Sequence, residues 1–103
     1  MFYIKRVLFV ALTAGAFSTI SFADDKDVEA KYNKSCAVCH AAAVAGAPKT
    51  GDADAWKPRL DKGMDTMVAS VVNGLNAMPP KGMCMDCSEE DYAALIEYMA
   101  TPK

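Results

Sequence analysis

Read for the spacing of apolar and polar positions, the chain divides near residue 23. Residues 7–20 (VLFVALTAGAFSTI) form one uncharged apolar run behind Lys5 and Arg6; beyond it, apolar positions recur at helical intervals among charged ones. Val28, Tyr32 and Ser35 at i, i+4 and i+7, with acidic residues in the first turn, predict a short helix over residues 27–34 that runs into Cys36. Residues 41–51 (AAAVAGAPKTG) predict a close-packed loop, because small residues there surround Gly46, Pro48 and Gly51. Asp52 is placed to cap a helical turn through Trp56, which Pro58 limits or places in its first turn. A second amphipathic helix is expected over residues 66–73, with Asp65 as its cap, Met67, Val68, Val71 and Val72 as its apolar face and Gly74 at its end. Residues 75–87 (LNAMPPKGMCMDC) have no period and contain Pro79, Pro80 and Gly82, so they read as loop. Ser88 and Asp91 form a capping-box pattern opening a last helix through Tyr92, Leu95, Ile96 and Met99, stopped by Pro102. No segment alternates as a strand would, which predicts a small, all-α, loop-rich domain.

The apolar run has the layout of a secretory signal peptide: a basic start, fourteen uncharged residues, then Ser21-Phe22-Ala23 with small residues at −3 and −1 of a cut after Ala23. As a helix it would reach only about 21 Å, short of a hydrocarbon core of roughly 30 Å. The expectation is therefore a cleaved leader over residues 1–23 and an exported domain over residues 24–103, with no membrane span in the mature form. Removing the leader changes the charge picture. The whole chain has 11 Lys+Arg against 13 Asp+Glu, whereas residues 24–103 keep nine basic and all thirteen acidic residues, a net of −4. With no basic run the sequence offers no phosphate-backbone surface, and no nucleic acid is expected as a partner. An apolar core alone is marginal at 80 residues, and domains of this size usually add disulfides, a metal or a bulky cofactor.

Cys36-Ala37-Val38-Cys39-His40 supplies the chemistry. C-x-x-C-H in an exported protein is the attachment signature of c-type haem. Two intervening residues let both sulfurs reach the two vinyl groups on one porphyrin edge, and the next residue turns its imidazole under the iron. His40 is then the proximal ligand, and its second ring nitrogen needs an acceptor, for which a carbonyl in the loop ending at Pro48 is suited. A thioredoxin-like pair would require a βαβ pattern. Four-cysteine zinc with Cys84 and Cys87 would require closer spacing than the 44 residues between Cys39 and Cys84. Two structural disulfides would leave His40 incidental. In an oxidising compartment Cys84 and Cys87 read as a local disulfide, with free, oxidation-prone thiols as the alternative. For the sixth ligand the chain offers one histidine only, so Met64, Met67, Met78, Met83, Met85, Met99, a lysine or an open position compete. Met78 is favoured, because the two prolines that follow it restrict its backbone and lower the entropy lost in holding a thioether on iron. His/Met ligation fills both axial positions and raises the reduction potential, which favours electron transfer over catalysis. The competing functional classes are a haem sensor or enzyme with a labile Met78, and a haem-free zinc or disulfide module.

CAVCH, GAPKTGDADAW, PRLDKGMDTMVASVVNGLNAMPPKG, the Cys84/Cys87 pair and the terminal EEDYAALIEYM together resemble a bacterial class I cytochrome c of the cytochrome c5 type. The resemblance implies about four short helices around one covalently bound haem c. It implies thioethers at Cys36 and Cys39, axial ligands His40 and Met78, and a Cys84–Cys87 disulfide. The first and last helices would meet through Tyr32 and Leu95/Tyr98, with Val28 standing where the family often has glycine. Trp56 and Arg59 resemble positions near the haem propionates. The implied role is a periplasmic one-electron shuttle, not an enzyme, with membrane respiratory complexes and periplasmic reductases or oxidases as transient partners. The acidic balance leads to an expectation of basic patches on those partners, with Lys57, Lys62 and Lys81 placed to surround the haem edge.

Overall fold

The computed structural model describes Gly15 and residues 25–103; the expected leader, Gly15 apart, and its cut lie outside the described residues. Helix α1 (Asp25–Lys31) begins earlier than the periodicity indicates, with Asp25 and Asp27 in its first turn, where the helix dipole favours acid. It does not stop before the cysteines. A π-helical turn, Tyr32–Cys36, carries it directly into α2 (Ala37–His40), the Ala37 N–H closing the turn on the Tyr32 carbonyl. One continuous rod thus ends on His40. The extra residue in the turn shifts the register: Val28 and Tyr32 enter the protein core, while Cys36, Cys39 and His40 border the adjoining cavity.

Asp52 caps α3 (Ala53–Leu60) as expected, its carboxylate accepting from the Ala55 N–H, but the helix runs past Pro58. Pro58 is tolerated because the ladder bond it cannot make involves only Asp54, which is exposed in the first turn. Helix α4 (Met64–Asn73) is capped by Gly63 at φ 93° instead of Asp65, which lies within the first turn. Gly74 ends it at φ 85°. Helix α5 (Glu89–Ala100) opens with both halves of the capping box: Asp91 N–H donates to Ser88 Oγ (3.1 Å) and Ser88 N–H to Asp91 Oδ2 (2.9 Å).

Four helical rods therefore enclose the core, and no strand is present among the described residues. The first and last rods meet where expected. The Tyr32 and Tyr98 rings lie 4.9 Å apart, Lys31 Nζ reaches Asp91 Oδ1 at 3.0 Å, and Val28 is buried in that contact without needing a glycine. Between α4 and α5, a 3₁₀ turn (Pro80–Met83) and the bonded Cys84–Cys87 pair shape the long loop.

Candidate haem site

The C-terminal end of the first rod, the loop after it, α3, α4 and the loop 75–84 surround one cavity of about 540 Å³. It is within the size range of small-molecule and cofactor sites. Cys36, Cys39, His40 and Met78 all line it. Cys36 and Cys39 are not bonded to each other, and burial pushes the Cys36 thiol up to about 11, which disfavours the thiolate that a zinc site would use.

His40 Nδ1 lies 2.8 Å from the Pro48 carbonyl oxygen. A carbonyl only accepts, so Nδ1 carries the proton and Nε2 keeps its lone pair for a metal. The expected acceptor in the loop ending at Pro48 is thus the one found. On the other flank, Gly74 turns the chain so that Leu75 and Met78 pair through two backbone bonds (2.9 and 3.0 Å), forming a tight turn that holds Met78 at the cavity.

The walls are mostly apolar, and among the described residues Arg59, Lys62 and Lys81 are the charged ones lining them, with no carboxylate. Two thiols one helical turn apart, an imidazole with a free Nε2, a thioether on a fixed turn and cations for acidic substituents make a donor set that fits haem c. Trp56 and Arg59 both line the cavity, but the indole N–H is already committed to the Lys49 carbonyl (2.9 Å). One guanidinium nitrogen of Arg59 donates to the Ala55 carbonyl at 2.6 Å. Lys57 is exposed and does not line the cavity.

Several contributors escaped sequence reasoning. Ser35, buried at 5% exposure, donates to the Met83 carbonyl and so ties the residue before Cys36 to the far loop. Tyr92 donates to the Cys84 carbonyl at 2.8 Å; burial first, then the Asp86 and Asp91 charges, push its phenol up and keep it a donor. Non-glycine residues at positive φ (Ala45, Asn76, Lys81 and Met83) also line the cavity. Such strained positions cluster at functional sites, and their only sequence trace is the small and turn-forming composition of the two loops. Cys84, Asp86 and Cys87 lie close enough to suggest a metal cluster, but the disulfide occupies both sulfurs.

Comparison with known proteins decides the family. A family model described as cytochrome C oxidase, cbb3-type, subunit III matches residues 23–99. Cytochrome c5 of Ectopseudomonas mendocina is 49% identical over 76 residues, covering 72% of this chain and 84% of that protein. The chain belongs to the class I c-type cytochromes, in the cytochrome c5 family. Cytochrome c5 of Azotobacter vinelandii is likewise 49% identical, over 72% of this chain and 88% of its own. A mono-haem ferrocytochrome c from Shewanella putrefaciens is 59% identical, with a TM-score of 0.67 over 79% of this chain and all of that one. A chain in the crystal structure of an electron transfer complex of nitrite reductase with cytochrome c is 42% identical, with a TM-score of 0.67 over 77% of this chain and 95% of its own. As a monohaem member of this family, the cytochrome carries one covalently bound haem c.

Proposed function

We propose that this cytochrome is a periplasmic one-electron carrier of respiratory electron transfer and not an enzyme. Its haem is held by thioethers at Cys36 and Cys39 and by axial His40 and Met78, and residues 1–23 are the export leader. The carrying observation is the convergence of these four side chains on one cavity, with the His40 Nδ1 proton already committed to Pro48. When bound, haem c would supply one-electron chemistry, taking an electron from a donor protein as its iron goes from ferric to ferrous and passing it to an acceptor protein on return.

The chain's own residues do the rest. Cys36 and Cys39 fix the group covalently, His40 presents Nε2, and the Leu75–Met78 turn presents a neutral thioether that favours the reduced state. Arg59, Lys62 and Lys81 stand where they can offset acidic substituents. Val38, Val44, Leu75 and Met83, exposed at 48–64%, form an apolar rim suited to brief docking through a small interface. Soluble reductases and membrane respiratory complexes fit as partners, and the nitrite reductase complex of a relative supports the soluble kind.

Met78→Ala tests the ligand set. The far-red sulfur-to-iron charge-transfer band should vanish, the potential should fall, and the reduced variant should bind carbon monoxide that the parent refuses. An unchanged spectrum would assign another ligand, and ready carbon monoxide binding by the parent would favour a sensor or enzyme.

A further inference from the structure

Three consecutive residues beside the haem cavity are each gripped from a different part of the fold. The His40 Nδ1–H donates to the Pro48 carbonyl at 2.8 Å, the Trp56 indole N–H to the Lys49 carbonyl at 2.9 Å, and the Tyr32 hydroxyl to Thr50 Oγ1 at 2.8 Å. The Thr50 N–H closes the circuit by donating to the His40 carbonyl at 2.9 Å. Two of the grips come from rigid ground. Trp56 is 3% exposed and stacks on the His40 ring at 5.7 Å between centroids; Tyr32 is 7% exposed and packs on Tyr98. The gripped segment itself is irregular, Lys49 is exposed, and positive-φ backbone at Ala43, Ala45 and Gly46 precedes it. Backbone bonds from Ala47 N–H to the Val44 carbonyl (3.1 Å), Gly51 N–H to the Met99 carbonyl (2.7 Å) and Asp52 N–H to the Lys49 carbonyl (3.1 Å) tie the segment on either side, but none of them ends on the Pro48 carbonyl.

We propose that Trp56 and Tyr32 are positioning residues for His40. They lock residues 49 and 50, and so aim the Pro48 carbonyl at the imidazole; the proposal rests on His40 being the axial ligand. A hydrogen bond weakens steeply as it lengthens and bends. The acceptor on the far nitrogen sets both the ring's orientation and its basicity toward the metal. A well-aimed carbonyl makes the imidazole a stronger donor and favours the ferric state. Loosening either grip therefore raises the potential without touching a ligand. The stack on His40 and the indole bond to Lys49 let Trp56 act on ring and carbonyl together.

Tyr32→Phe keeps the ring on Tyr98 and removes only the hydroxyl, Thr50→Val removes its acceptor, Thr50→Ser restores it, and Trp56→Phe removes the indole donor. In the holoprotein, exchange of the His40 Nδ1 proton is followed by NMR in the reduced state, beside the reduction potential and the thermal midpoint. Tyr32→Phe, Thr50→Val and Trp56→Phe are expected to speed exchange by up to about tenfold, the order set by the net loss of one hydrogen bond. Each should also raise the potential, while Thr50→Ser matches the parent in both. Unmoved exchange and potential, with or without a lower thermal midpoint, would overturn the proposal. Hyperfine-shifted His40 ring resonances in the ferric parent separate the two possible failures. Their absence refutes the ligand assignment and the proposal with it; their presence with unmoved variants refutes the positioning role alone.

Discussion

Asp91 shows how much one side chain does at the junction of the first and last rods. Its Oδ2 accepts from the Ser88 N–H, its own N–H donates to Ser88 Oγ, and its Oδ1 receives the Lys31 ammonium. The Ser88 backbone bond first, then the Lys31 bond, hold its carboxyl below the ordinary 3.8. A carboxyl depressed in the folded state contributes stability that is present above 3.8 and lost as pH falls through its lowered folded value. Asp91→Ala should cost about 1 kcal/mol at neutral pH, the usual loss when a helix cap is removed. Denaturant titrations of variant and parent should converge once the pH is well below 3.8. A difference that stays constant across that range would show that the carboxylate charge contributes nothing. The two capping residues were plain in the sequence; Lys31, sixty residues away from Asp91, was not.

At the scale of elements, the loop that presents Met78 depends on how α4 ends. Gly74 stops the helix at φ 85°, and a Cβ there would stand 3.1 Å from the Met78 carbonyl oxygen and from Pro80 N and Cδ. Those atoms are backbone or ring and do not swing aside. Gly74→Ala therefore combines the strain of a positive-φ, extended backbone region essentially confined to glycine, roughly 1–3 kcal/mol, with displacement of the Leu75–Met78 turn. The measurable result should be a weaker far-red band along with a lower thermal midpoint. A variant that loses stability while keeping the full band would show that the turn tolerates the shift.

Helices α4 and α5 were legible because their apolar faces repeat at helical spacing, and the candidate site residues that line the cavity because C-x-x-C-H and Met-Pro-Pro are chemically specific. The π-helical turn was not, since Tyr32–Cys36 has no composition that distinguishes it from ordinary helix. Pro58 misled for a related reason: its cost depends on which carbonyl loses a partner, and Asp54 is exposed. At Gly63 and Asp65 two acceptable caps lay two residues apart, and the glycine's backbone freedom prevailed. The Ser35 bond spans 48 residues and the Tyr92 bond reaches from α5 back into an irregular loop, so neither follows a local spacing rule.

For the whole molecule, the relation between core and cavity governs stability. Among the described residues the buried apolar ones are Val28, Tyr32, Trp56, Met67, Cys84, Tyr92, Leu95, Ile96 and Met99, and all but the first two line the cavity. The core is largely the wall of the haem site. Without the porphyrin these side chains would face water across an open-mouthed cleft of about 540 Å³, and the apolar burial that the haem completes would be lost from a domain whose whole stability is about 5–15 kcal/mol. The Cys84–Cys87 disulfide closes too short a loop to compensate. A double Cys36→Ala, Cys39→Ala chain stripped of haem should therefore lose most of its far-UV helical signal and melt without a sharp transition, while the holoprotein melts cooperatively. Native helicity and a sharp transition in the stripped chain would mean that the helices hold one another without the porphyrin. The contact of the first rod with α5 through Tyr32, Tyr98 and the Lys31–Asp91 pair is the part of the fold best placed to survive, because it owes least to the cavity.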